Sequence, residues 1–342
     1  MKTTLTTLAL IAASAHGWWD HLHMTTTQIA TQLMPAEELR YVNALLSQWN
    51  GDFPNTGEAT TSAIWADLVK CDSVVSTYCP SPAHPSDHNQ DTWHYTDIPL
   101  NVDGSDYQGL TSKDITKLIA LSPDGDALNV LPKAFSTFKT TQSVWAANYA
   151  LRYIIHIFTD LHQPLHASTG ISPSMPTGDA GGNFYSLRQP CVATNLHAYW
   201  DSGAGNYTIN WNPNMTADST DRQSINAAAK RLISAYQNVT DPASFSQYVS
   251  SSYADFNSAM ASTGMYGVMA TSYDLARLVV YKNIDLTAGG DKKIACPSAD
   301  YQQKALATIE QQAYFGGARL AVVLTQIGRR IKELGLANPG AC

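Results

Sequence analysis

Two histidine–aspartate pairs of identical spacing constrain this chain more than any other feature. The first lies in His156-Ile-Phe-Thr-Asp160-Leu-His-Gln-Pro-Leu-His166. Val144, Ala147, Leu151, Ile154 and Phe158 recur at helical intervals before and within it, which predicts a helix over 141–161. Four residues apart on a helix, His156 and Asp160 share one face, one turn above the other. Pro164 lacks a backbone donor and ends that helix, so His166 swings off its line. The second pair lies in Asn195-Leu-His197-Ala-Tyr-Trp-Asp201. A neutral imidazole and a carboxylate held together ligate a divalent cation of borderline softness, zinc above all. A buried His–Asp ion pair accounts for either pair taken alone. Their repetition, with His166 and a Trp-rich amino end, points to a polynuclear metal site.

The remaining pattern is helical. Apolar periodicity predicts helices over 23–33, 35–48, 58–70, 112–121, 219–237, 244–261 and 271–283. A last helix covers 299–334, with a break expected near Gly316-Gly317. Glu37 and Glu38 fall in the first turn of the second helix, where the helix dipole favours them. Residues 71–91 and 171–183 read as loops, and 183–187 as a small hairpin. The fold class is therefore all-α: a mainly helical single domain with long loops and at most a small hairpin. With 342 residues, 44% of them hydrophobic, the chain can bury one large core, and no linker-like run divides it.

Residues 1–17 read as a signal peptide: Lys2, a short apolar core over 5–13, then Ala15-His-Gly17 with small residues at the cleavage positions. Cleavage after Gly17 makes Trp18 the first residue of a mature domain spanning 18–342. No later apolar run reaches the roughly 18 residues of a membrane span. Three sequons, at Asn206, Asn214 and Asn238, agree with a secreted glycoprotein, or one held in the lumen of the secretory or endolysosomal pathway. None of the five cysteines forms a CxxC pair, so disulfides are expected rather than a thiolate zinc site. Cys71–Cys79 is the expected short loop, Cys296–Cys342 a second candidate, and one cysteine is left over. The net charge of −7 argues against a general nucleic-acid-binding protein. A polyanionic substrate remains compatible with it where metal ions supply local positive charge.

Further ligand candidates flank the pairs. A free amine on Trp18, with its own carbonyl oxygen, can chelate a metal in a five-membered ring, and His23 follows five residues on. Asp67 closes Ile64-Trp-Ala-Asp67 with Lys70 a turn later, and Trp93-His94-Tyr95-Thr96-Asp97 follows the polar loop. Each of these has an ordinary structural reading as well, a helix-end carboxylate or a half-buried histidine.

Taken in order, Trp18-x4-His23, Trp-Ala-Asp67, Trp-His94-Tyr-Thr-Asp97, His156-x3-Asp160-x5-His166, Gly-Gly-Asn183 and Asn-Leu-His197-x3-Asp201 resemble the class I single-strand nucleases and 3′-nucleotidases, the zinc enzymes typified by nucleases S-one and P-one. Gly317-Ala-Arg-Leu-Ala321 is similar to that family's last helix, and the resemblance covers about 18–330. It implies three zinc ions. Asp67, His94, His156 and Asp160 would hold the first. Trp18 through its amine and carbonyl, His23 and the bridging Asp160 would hold the second. His166, His197 and Asp201 would hold the third. A zinc-bound hydroxide would then attack phosphorus in single-stranded DNA, RNA and 3′-nucleotides, releasing 5′-phosphates from the polymers. All-N/O ligation suits such catalytic zinc, which keeps positions open for water and substrate. Asp67, Lys70 and Asp160 would serve catalysis. Tyr95 would stack on a base and Asp97 accept from its edge, a mode that splayed single strands allow and duplexes do not. The family often has Arg where this chain has Lys70, which keeps the charge but loses the bidentate fork on phosphate. A monomer without membrane attachment is implied. His21, His84, His88 and His162 are left as structural or surface residues.

The nearest enzymatic alternative, a zinc phospholipase C, shares the His-x3-Asp and Pro-x-His elements. That group typically has a longer gap between the terminal Trp and the first His, and Glu in the last pair. The step from Trp18 to His23, and Asp201, favour the nuclease. A secreted zinc-binding protein without catalysis is the alternative from a different class.

Overall fold

The computed structural model describes residues 18–71 and 88–340. Its helices are α1 (Asp20–Leu33), α2 (Ala36–Ser47), α3 (Ala59–Ser62), α4 (Trp65–Leu68), α5 (Ile115–Ala120), α6 (Ala127–Thr137), α7 (Val144–Asp160), α8 (Leu196–Asp201), α9 (Thr220–Tyr236), α10 (Tyr253–Met260), α11 (Thr263–Leu275) and α12 (Ala299–Leu334). Short polar side chains start several of them. Ser143, Ser219, Ser252 and Ser298 accept a backbone N–H from the first turns of α7, α9, α10 and α12, and Asn195 does so for α8. Each such cap contributes about 1 kcal/mol by satisfying a donor the helix cannot. Gly335, left-handed at φ 65°, closes α12.

The expected break at Gly316-Gly317 is not there; α12 runs through it for 36 residues. The glycines serve packing instead. A Cβ on Gly317 would lie 2.6 Å from Ile29 Cβ and from Thr26 O, and one on Gly316 would lie 3.1 Å from the His162 ring. Bare backbone lets α12 lie against α1, and α1, α2 and α9 flank it. Other expectations shift: the helix over 244–261 is α-helical only as α10, and that over 271–283 starts earlier and ends sooner, as α11. The helix over 58–70 is two short ones, α3 and α4, and α6 arises where Pro132 obscured the helical pattern.

Strand structure is small, as expected, but sits elsewhere than the hairpin expected over 183–187. β1 (Pro99–Asn101) pairs in parallel with β2 (Thr169–Ile171), Pro99 opposite Thr169. Residues 183–187 supply only isolated bridges, Ser186 to Asn195 and Leu187 to Ile294. The second bridge corrects a disulfide. Arg188 N donates to Ile294 O and the Arg188 guanidinium meets Asp291, which brings Cys191 and Cys296 to a Cα separation of 5.6 Å, and these two are bonded. Cys296 is therefore not paired with Cys342. The Cys71–Cys79 expectation lies outside the described residues through Cys79, as do His84 and the signal peptide over 1–17. No helix among the described residues is long and apolar enough to cross a membrane.

Candidate metal centre

α7 is the spine of the site. Its last turns are buried on all sides, and His156, Thr159 and Asp160 have no exposed surface. α1 lays His23 against this face, its ring stacked on that of His156 at 4.1 Å. Asp67, on α4, and His94, at the end of a 3-10 turn over Asp91–His94, come to the same point. Past Pro164, one turn of 3-10 helix, Pro164–His166, turns His166 towards His197 and Asp201 on α8.

Three groups of candidate ligands result: His23, His156 and Asp160; Asp67, His94 and His156; and His166, His197 and Asp201. His156 is common to the first two, and Asp160, in the first, also faces the second. Asp160 Oδ1 lies 3.2 Å from His23 Nε2, while Oδ2 lies 3.1 Å from His94 Nδ1 and 3.2 Å from His156 Nε2. Asp67 completes the second group, with Oδ2 3.6 Å from His156 Nε2 and Oδ1 3.8 Å from His94 Nδ1. In the third group His197 Nε2 is 3.3 Å from Asp201 Oδ2 and 3.0 Å from His166 Nε2. Tetrahedral zinc with ligands at about 2.0–2.1 Å sets its donor atoms roughly 3.3–3.4 Å apart. The observed separations cluster around that value.

Donor chemistry makes the same point. His166 Nδ1 donates to His94 O at 2.8 Å and His197 Nδ1 to Gly181 O at 2.7 Å, since carbonyls only accept. In the neutral rings both Nε2 atoms therefore carry lone pairs, and these face each other at 3.0 Å. That contact is favourable only with a cation between them. His156 Nδ1 likewise donates to Ala63 O, which leaves its Nε2 facing Asp160. His23 Nε2 and Asp160 Oδ1 are buried and near each other, yet neither is aligned in a hydrogen bond. Buried polar atoms left this way cost about 1–3 kcal/mol each unless a partner satisfies them. These residues fit a metal.

Without positive charge at the centre, protons are forced into poor places. Burial would lower the His156 imidazole, but Asp160 and Asp67 outweigh it and raise it to about 9. Burial, then the Lys70 ammonium, lowers His94 to about 3. Burial pushes the Asp201 carboxyl well above the carboxylate range. Asp160 goes the other way: burial opposes its charge, yet His156 and His23 hold it well below that range.

The remaining expected residues fall around this centre. Lys70 is buried and its Nζ donates to Asp67 Oδ1 at 2.8 Å. Tyr95 OH donates to Asp124 Oδ2 at 3.0 Å, and Asp97 N to Asp124 O at 3.0 Å. The Asp97 carboxyl is pushed well up by burial, then by Asp179 and Asp124. Trp18 is buried, and the next residue ties the amino end to α8 through Trp19 N donating to Asp201 O at 3.1 Å. Among the described residues, three unassigned histidines have other partners. His21 packs edge-on to Tyr207, His88 meets Asp91, and His162 sits between Phe158 O and Arg319.

Sequence reasoning missed the groups that hold the ligands. Gln163 Nε2 donates to Asp201 Oδ1 at 2.8 Å, orienting the other oxygen to His197. Gly181 offers its carbonyl to His197 from a left-handed conformation, where a Cβ would meet Leu165 O at 2.4 Å. Its place in the Gly-Gly-Asn183 motif was the available signal; nothing in the pattern marked Gln163.

Known proteins similar to this chain are named as nucleases. Endonuclease 2 of Arabidopsis thaliana is 26% identical over 57% of this chain and 58% of its own length. Nuclease S1 of Aspergillus oryzae is 25% identical over 59% of this chain and 61% of its own. The chain thus spans about three-fifths of these relatives, whereas Endonuclease 4 of Arabidopsis thaliana aligns at 27% over 93% of this chain and 97% of its own length. The sequence profile described as S1/P1 Nuclease matches residues 18–329, which hold every candidate ligand, and the chain belongs to that family.

Proposed function

We propose that residues 18–342 form one secreted, monomeric, zinc-dependent nuclease domain that hydrolyses single-stranded DNA and RNA to 5′-phosphates and also acts on 3′-nucleotides. The observation that carries the reading is Asp160, fully buried, with its two oxygens turned to two different sets of histidines. Three ions are proposed: one with Asp67, His94, His156 and Asp160; one with Trp18, His23 and Asp160; one with His166, His197 and Asp201. When bound, zinc supplies Lewis acidity and activates water near neutral pH.

The chain's own groups do the rest. Lys70 places a cation beside Asp67 at the edge of the centre, where it neutralises phosphate charge as a point charge. Tyr95 presents a ring for stacking, and Asp97 beside it reads a base edge. Stacking tolerates any base and requires the base to be unpaired, which gives single-strand selectivity without sequence selectivity. Asn206, Asn214 and Asn238 are all exposed, as glycan acceptors of an exported protein must be.

The test is Asp160→Ala against Asp201→Ala, with zinc per chain measured beside hydrolysis of single-stranded DNA. Loss of more than one ion and of all activity is expected for the first, and loss of one ion for the second. A fully active Asp160→Ala protein, or one lacking a single zinc with the rest intact, contradicts the assignment. Phosphatidylcholine offered in parallel should not be hydrolysed.

A further inference from the structure

We infer that Thr159 is a positioning residue that sets the tautomer of His23, so that the ring turns an unprotonated Nε2 towards Asp160. The inference rests on the metal reading of the cluster and concerns a side chain that is not itself a ligand.

Thr159 is fully buried on α7, immediately before Asp160, and its hydroxyl faces two partners. Oγ1 lies 2.7 Å from His156 O, and 2.7 Å from His23 Nδ1 on α1. A hydroxyl has one proton to give. The carbonyl of His156 can only accept, so that contact takes the proton. Towards His23 the oxygen must therefore act as acceptor, and Nδ1 must carry the hydrogen. A neutral imidazole protonated on Nδ1 has its lone pair on Nε2. That atom faces Asp160 Oδ1 at 3.2 Å.

Comparison within the centre isolates Thr159. His156, His166 and His197 are fixed in the same tautomer by the carbonyls of Ala63, His94 and Gly181. Main-chain acceptors survive any side-chain substitution. Of these four rings, His23 alone has a side-chain hydroxyl in that role, which makes its tautomer the one among them that a point mutation can release. Threonine suits the task, because in a helix its hydroxyl bonds readily to the carbonyl of the preceding turn. The same bond joins α1 to α7 at the point where both deliver a ligand.

The experiment compares the intact protein with Thr159→Val, which keeps the shape and loses the hydroxyl, and Thr159→Ser, which keeps the hydroxyl. Zinc affinity is read by competition with a chelator of known strength, and the His23 tautomer by nitrogen-15 NMR of the zinc-free protein above pH 8. Removing an orienting partner of a metal-bound histidine typically weakens binding about 10- to 100-fold. The valine variant should show that loss for one ion and leave the others in place, with His23 carrying its proton partly or wholly on Nε2. The serine variant should match the unaltered protein in both readouts. The inference is overturned if Thr159→Val binds every ion with unchanged affinity, or if Thr159→Ser loses as much as Thr159→Val. Should Thr159→Val not fold, Thr159→Ala is read in the same way. In the unaltered protein, an Nε2–H tautomer overturns it outright. If the unaltered protein binds no zinc at all, the metal reading fails, while the NMR arm still decides the tautomer.

Discussion

Replacing Gly317 by alanine should destabilise the protein, although in most helix interiors that change stabilises it. Alanine gains about 1 kcal/mol over glycine in helix propensity. Here its Cβ would come within 2.6 Å of Ile29 Cβ, Ile29 Cγ2 and Thr26 O. Ordinary contact begins near 3.5 Å, so α1 must retreat by roughly 1 Å. Thr26 O is main chain and cannot rotate aside. Leu22, Ile29 and Ala30 are fully buried on α1, so its retreat opens space behind them. Overpacking of this kind costs about 1–3 kcal/mol, and contact with backbone places it at the upper end. The expected net loss is about 1–2 kcal/mol. His23 lies one turn before Thr26, so zinc affinity should fall with stability. Urea denaturation at saturating zinc, with metal analysis of the same samples, measures both. Gly267 on α11 is the internal control, because a Cβ there meets only Ala243 Cβ at 3.4 Å. Gly267→Ala should be neutral or stabilising by up to about 1 kcal/mol. A Gly317→Ala protein as stable as its parent would refute the close-packing account.

Three other outcomes are expected. An extra glycine before Trp18 converts the proposed amine ligand into an amide, so the extended protein should lack one zinc and most activity; equal zinc content in both forms would remove the amine from the site. Chelation should inactivate and destabilise together, since a ligand at 100 times its Kd adds about 2.7 kcal/mol per site; an unchanged melting temperature after complete zinc removal would make the site peripheral. Burial lowers His21 from its ordinary 6.5 to about 4, so its contribution is present above pH 6.5 and is lost as pH falls towards 4. At saturating zinc, His21→Gln should flatten that acid-side loss by an amount on the order of 2 kcal/mol; parallel curves for the two proteins would count against burial as the cause.

What the sequence disclosed was local. His156 and Asp160 are fixed to one face by helix geometry, and Pro164 dictates where that geometry stops, so the candidate pairs could be read directly. The helical class followed from periodicity for the same reason. What escaped depends on which segments meet. Cys191 and Cys296 are 105 residues apart and are joined by a bridge between Leu187 and Ile294 that no local pattern announces. Gly316 and Gly317 carry the usual mark of a helix end, and only the approach of α1 shows that they are there for closeness. Gln163 sits in the middle of a legible motif, yet its role depends on Asp201, 38 residues away.

The joint between His94 and His166 has a consequence for how such a centre can change. Thr96 N donates to His166 O, His166 Nδ1 donates to His94 O, and β1 and β2 continue the pairing a few residues on. The spacing between the second and third candidate groups is thus a main-chain dimension. Side-chain substitution can empty either group but cannot alter the gauge between them. An inserted or deleted residue between 94 and 99 would shift the register and misplace both groups at once. A substitution that alters what the site accepts must therefore act through the side chains around this main-chain frame.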